Sequence, residues 1–165
     1  MPIAEEGKKK SYVTHPRYGD KPMKSGIKYD AEEIVNAFWG YNSGFFFPES
    51  AIPANLSKQN YSIYPRKIYV DLEKKCITCN RLFIFYAKEQ QYWYETLGFY
   101  IDADCVKCTD CRKKEQEIKL LMREYEELHK KENKNKEEIS KLKNTALELY
   151  QLGYIRNKQK VDNIG

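Results

Sequence analysis

All five cysteines of this 165-residue chain fall between Cys76 and Cys111. They read C-I-T-C at 76–79 and D-C-V-K-C-T-D-C-R at 104–112. Two cysteines separated by two residues can turn both sulfurs toward one ion. Two such knuckles brought together form the tetrahedral thiolate cage that zinc prefers. Disulfides belong to oxidising compartments. The opening MPIAEEGKKKSYV shows no basic stretch followed by an apolar one, so no secretory signal is visible and a cytoplasmic location is expected. A redox C-x-x-C needs no second cluster and is expected near a βαβ pattern, which is not visible here; an iron–sulfur centre is the other competing use of such thiolates. The spacing predicts one structural Zn²⁺. In the second cluster Cys105/Cys108 and Cys108/Cys111 are both valid pairs, and Cys108 is common to them. His15 is a remote further ligand candidate.

Charge limits the partners. The net charge is +5, and residues 76–112 carry −1. Four thiolates on one Zn²⁺ add about −2 there. A basic stripe over the metal module, the footprint of phosphate binding, is therefore absent. The short clusters Lys8–Lys10, Arg66 with Lys67, and Arg112–Lys114 read as solvated surface. No run of about 18 apolar residues exists, which excludes a membrane-spanning helix.

The stretch C76-I-T-C79-N-R-L-F83-I-F85-Y-A87-K-E89-Q90-Q-Y-W93-Y94-E-T-L-G98-F99…C108-T-D-C111-R112 resembles the probable zinc-ribbon domain of many small, mostly uncharacterised bacterial proteins. That pattern has a C-x-x-C, then F-x-F-x-A-x-E-Q, aromatic residues, a Gly-Phe and a closing C-x-x-C-R. The resemblance covers residues 76–112. It implies zinc ligands at Cys76, Cys79, Cys108 and Cys111, with Cys105 as the alternate ligand. Where the family usually has Gly after the first knuckle this chain has Asn80, which tolerates the left-handed conformation. The stretch before the last knuckle is longer and lacks the family's proline.

Local patterns support the same module. Lys67–Leu72 reads as a strand from its β-branched and aromatic content. Leu82–Tyr86 reads as a short strand covered on both faces. Ala87–Leu97 is a helical window with Gly98 where a left-handed cap is wanted, and Tyr92, Trp93 and Leu97 are expected to pack over the cage. Asp30, Glu32 and Glu33 start a helix that ends at Gly40 or Gly44. Phe45–Ile52 is expected to supply core for the module. In the C-terminal third, Ile118, Leu121, Tyr125 and Leu128 step by 3, 4, 3. Ile139, Leu142, Ala146 and Leu149 repeat that step in phase. One continuous coiled-coil helix competes with a hairpin turning near 132–135, and Asn135 with Glu138 favours the hairpin through a capping box.

The expected fold is α+β. A small treble- or ribbon-type zinc module with short β-strands spans 67–112 and packs on an aromatic-rich region over 30–66. An extended, partly disordered arm covers 1–29, a helical hairpin or coiled coil 113–155, and a tail 156–165. No H-E-x-x-H, Gly-rich phosphate loop or nucleophile elbow is present, so no catalytic residue is expected. The expected function is a non-catalytic zinc-binding protein-interaction module of adaptor, inhibitor or immunity type. A nucleic-acid-binding zinc ribbon is the alternative, with tyrosines such as Tyr61, Tyr64 and Tyr69 available for stacking. The candidate partner or nucleic-acid surface comprises Arg17, Tyr18, Phe45, Phe46, Arg66 and Lys67. A protein partner is expected, no membrane is, and the 118–149 seam offers a homodimer.

Overall fold

The structure is a computed structural model and describes residues 9–165; residues 1–8 of the expected arm lie outside the described residues. The chain forms two compact units, one ending at Cys111 and one running from Arg112 to Gly165.

The first unit is built on an antiparallel sheet of order β1-β2-β3, with β1 Phe45–Pro53, β2 Ile68–Lys75 and β3 Leu82–Phe85. Side chains alternate across a strand, and β2 uses both faces. Ile68, Val70 and Leu72 join a core with Phe83 and Phe85 of β3, and with Ile34, Ala37, Phe38 and Tyr41. Tyr69 points the other way, into a smaller core with Ala87, Tyr94 and Ile101. Each fully buried large apolar side chain contributes roughly 2 kcal/mol relative to exposure. Helix α1 spans Ala31–Ala37, and a 3₁₀ turn Trp39–Ser43 carries the chain to Gly44. The backbone N–H of Asp30 donates to the Glu33 carboxylate at 3.2 Å, closing the start of α1.

Helix α2, Ala87–Gln91, runs into a π-type turn, Tyr92–Thr96, and ends before Gly98 at φ +68°. The wider turn rotates the following side chains, so Tyr94 is buried while Tyr92 and Leu97 are exposed. Of the three residues expected over the cage, only Trp93 packs against the core that holds the cysteines. Phe45–Ile52 also departs from expectation. Phe45 is exposed, Phe46 and Phe47 are half-buried, and Ala51 is the fully buried apolar residue of the strand. Pro48 has no N–H for the ladder, and the pairing with β2 shifts between Phe47 and Ile52. Ser50 fills the break: its hydroxyl accepts the Asp71 N–H at 2.7 Å and donates to the Phe47 carbonyl at 2.6 Å.

Residues 9–29 form a strap on the sheet. Val13 N–H donates to the Leu82 carbonyl. Tyr86 donates its hydroxyl to the carbonyls of Gly19 and Lys21. The Asp71 carboxylate accepts from the N–H of Met23 at 2.8 Å and of Ala87 at 2.7 Å.

Helix α3, Thr109–Lys130, begins in the first unit and continues into the second, which adds α4, Lys136–Gln151, and α5, Lys158–Asp162. The continuous-helix expectation gives way to two helices. Asn133 takes φ 54° in the turn, and Asn135 caps α4 by accepting the Glu138 N–H at 2.8 Å. The Glu138 carboxylate accepts the Asn135 N–H in return. Leu142, Ala146 and Leu149 of α4 are buried, and Glu124 pairs with Lys141 at 2.6 Å. The tail is ordered as well: Asn157 caps α5 and Val161 is buried. Among the described residues no helix is long and apolar enough to cross a membrane.

Candidate metal centre

Cys76 directly follows β2, and the turn Cys76–Asn80 leads into β3. Asn80 N–H donates to the Cys76 carbonyl at 2.9 Å, and the Cys76 N–H donates to the Arg81 carbonyl at 2.9 Å. Asn80 takes φ 60°, the left-handed conformation that the tight knuckle requires. The second pair is placed differently. Cys108 directly precedes α3 and Cys111 lies in its first turn. Three residues along a helix is one face, so both sulfurs turn the same way. The Ile77 N–H donates to the Val106 carbonyl at 3.0 Å and ties the two loops together.

The sulfurs of Cys76, Cys79, Cys108 and Cys111 all lie within 4.8 Å of one another. Cys79 and Cys108 sulfurs are 3.7 Å apart. Cys76 and Cys108 are buried, and Cys79 and Cys111 are half-buried. Burial opposes ionisation of Cys76, but N–H groups of Cys79, Cys108 and Thr78 directed at its sulfur bring the thiol down to about 6. The Arg81 N–H and guanidinium lower Cys79. Burial and the neighbouring sulfurs push Cys111 up to about 12. A cation supplies what four crowded thiolates lack. This all-sulfur, tetrahedral-capable donor set suits Zn²⁺ in a closed site. Cys105 is buried outside the cluster, with its thiol directed to the Lys107 carbonyl at 3.4 Å.

His15 is engaged elsewhere. Its Nε2 lies 2.6 Å from the Glu89 carboxylate, and its Nδ1 accepts the Arg17 N–H at 3.0 Å. Both ring nitrogens are thus occupied in holding the strap.

The expected partner surface is dispersed. Arg17 and Lys67 are exposed. Tyr18 packs in tilted contact with the His15 and Tyr86 rings. Phe45 is exposed under the Lys10 ammonium, and Phe46 packs on the core. Arg66 does not belong to that surface: it is 4% exposed, donates to the Ile101 carbonyl at 2.9 Å, and lies over the Phe38 and Tyr94 rings. It is a core cation, accommodated by these ring faces and the carbonyl. Tyr69 is likewise buried and offers no stacking face. Arg81 and Asp110 were not legible as site residues, because a lone arginine two positions past a knuckle carries no spacing signal.

Residues 70–119 match a family model described as a probable treble clef domain. The geometry agrees with a small zinc module, since one ligand pair comes from the knuckle between β2 and β3 and the other from the start of α3. No curated protein matches the chain, and no solved structure does.

Proposed function

We propose that this chain is a non-catalytic, zinc-stabilised protein-interaction module. Four sulfurs would complete the coordination of the ion and leave no position for a reacting water. The metal then secures the fold, and function lies on the surface that the fold presents.

One observation carries the reading. Residues 59–66 form a hydrogen-bonded loop that displays apolar side chains. The Gln59 side chain accepts the Arg66 N–H at 3.0 Å and donates to the Arg66 carbonyl at 2.6 Å. The Ile101 N–H donates to the Asn60 carbonyl at 2.9 Å, and Ser62 and Tyr100 hydroxyls are 2.8 Å apart. On this pinned loop Ile63 is 74% exposed and Tyr64 71% exposed, with Tyr61, Phe99 and Tyr100 exposed beside them. Residues 59–65 and 97–101 contain no charged side chain. Preorganised aromatic residues on an uncharged surface fit the centre of a protein–protein interface. A nucleic-acid reading draws on a different region, the exposed Arg17, Lys21, Lys24 and Lys28 of the strap.

Native mass spectrometry of the untagged protein, beside an Ile63→Ser/Tyr64→Ser variant, tests the reading. One zinc in both proteins, with a bound protein lost only in the variant, is the expected result. Bound nucleic acid that dissociates steeply with added salt would favour the second reading. A folded chain without metal would remove the zinc assignment.

A further inference from the structure

We propose that Arg81 is a positioning and charge-balancing residue of the metal centre, clamping the Cys79 thiolate to the start of α3. The inference rests on the zinc reading above and concerns how strongly the site holds its ion.

A tetrathiolate zinc site carries a formal charge of about −2. The buried ligands Cys76 and Cys108 are enclosed by the core, whereas Cys79 is half-buried and open to water. The guanidinium addresses this half-buried ligand. Arg81 Nε donates to the Cys79 sulfur at 3.4 Å, and a terminal nitrogen of the same group donates to the Asp110 carboxylate at 3.0 Å. Asp110 lies between Cys108 and Cys111 in sequence. One planar group therefore joins the knuckle that provides two sulfurs to the helical turn that provides the other two. The Arg81 carbonyl accepts the Cys76 N–H, so the side chain departs from a backbone position that the knuckle itself fixes. Arginine suits this role because its fork offers donors in two directions while keeping its charge; lysine offers the charge from a single point. Asp110 in turn sits in the first turn of α3, where a carboxylate is favoured by the helix dipole. The Arg81–Asp110 pair is half-exposed and would add little to stability as a surface ion pair. Its consequence falls on the metal ligand it contacts.

The test uses the full chain as wild type, Arg81→Gln, Arg81→Lys and Asp110→Asn. Zinc affinity is measured by chelator competition, and N-ethylmaleimide labelling of each cysteine by peptide mass spectrometry. Residues that orient metal ligands typically change affinity by about 10–100-fold. Arg81→Gln is expected to weaken zinc binding by about 10-fold and to make Cys79 the first cysteine labelled. Arg81→Lys should fall between it and wild type, and Asp110→Asn should raise Cys79 labelling. Affinity within about twofold of wild type in Arg81→Gln, with Cys79 labelled no faster, would overturn the inference while leaving the zinc reading intact. A folded wild-type chain that binds no zinc would remove both.

Discussion

At the scale of single residues, the choice between Cys105 and Cys111 as the partner of Cys108 is decisive. Both lie three positions from Cys108, and both satisfy the spacing rule. Only Cys111 joins Cys108 among the four sulfurs that converge, and Cys105 stays outside them. Cys108→Ser is expected to lose the ion and, with it, the tie between the knuckle and α3, because such a module has too small a core to hold its loops without metal. Cys105→Ser is expected to keep one zinc per chain and to lose at most about 1 kcal/mol. Metal content by elemental analysis and residue-level hydrogen exchange distinguish them. Zinc retained in Cys108→Ser, or lost in Cys105→Ser, would reverse the ligand assignment. The residues alone left this choice open, since both pairs share the same interval. Convergence depends on where α3 starts, which is set by the chain around it.

At the scale of elements, Asp71 joins three of them: β2, which carries it, the first turn of α2, and the strap. Its two carboxylate oxygens each accept one backbone N–H. Burial holds the carboxyl up at about 6 against an ordinary 3.8, with the Ala87 and Met23 N–H groups opposing the shift. Raised in the folded state, the group adds stability by taking up its proton. That contribution is complete below the ordinary value and is lost as pH rises through about 6. A protonated carboxyl can still accept at both oxygens, but an amide turns a donor toward one of the two N–H groups. Asp71→Asn should therefore cost about 1–3 kcal/mol, and the gap to wild type should widen as the pH falls from 7.5 toward about 5.5. Urea titrations of both proteins with zinc saturating read this difference, and a gap that narrows toward acid would refute the assignment. Elements set by local periodicity were legible in sequence: α1 from its acidic first turn, the β2–β3 pair, and the capped start of α4. The strap was not, because its anchors Asp71, Tyr86 and Glu89 lie some fifty residues or more downstream, beyond any local pattern. Phe45–Phe47 depart for the opposite reason, since an apolar run suggests burial while this edge strand leaves Phe45 exposed and Phe46 and Phe47 half-buried.

At the scale of the whole molecule, the chain separates a metal-bearing unit from a helical one, and each has its own apolar packing. All four converging sulfurs belong to the first unit. The first turn of α3, which supplies Cys111, is secured within that unit. There Thr109 donates to the Thr14 carbonyl at 3.2 Å, and the adjoining loop is tied through Val106. Leu142 belongs to the second unit and is 5% exposed. An aspartate at that position places a carboxylate among apolar neighbours without a partner, at a cost of several kcal/mol. Leu142→Asp is therefore expected to lower helical circular dichroism and to speed hydrogen exchange across 136–162. Zinc should remain at one per chain, and exchange in β2 and β3 should be unchanged. The physical reason is that the cage depends on the knuckle, one helical turn and the sheet core, none of which requires the α4 seam to stay closed. If the same variant releases zinc, the first turn of α3 draws its order from the helices that follow, and the two units fold as one cooperative structure.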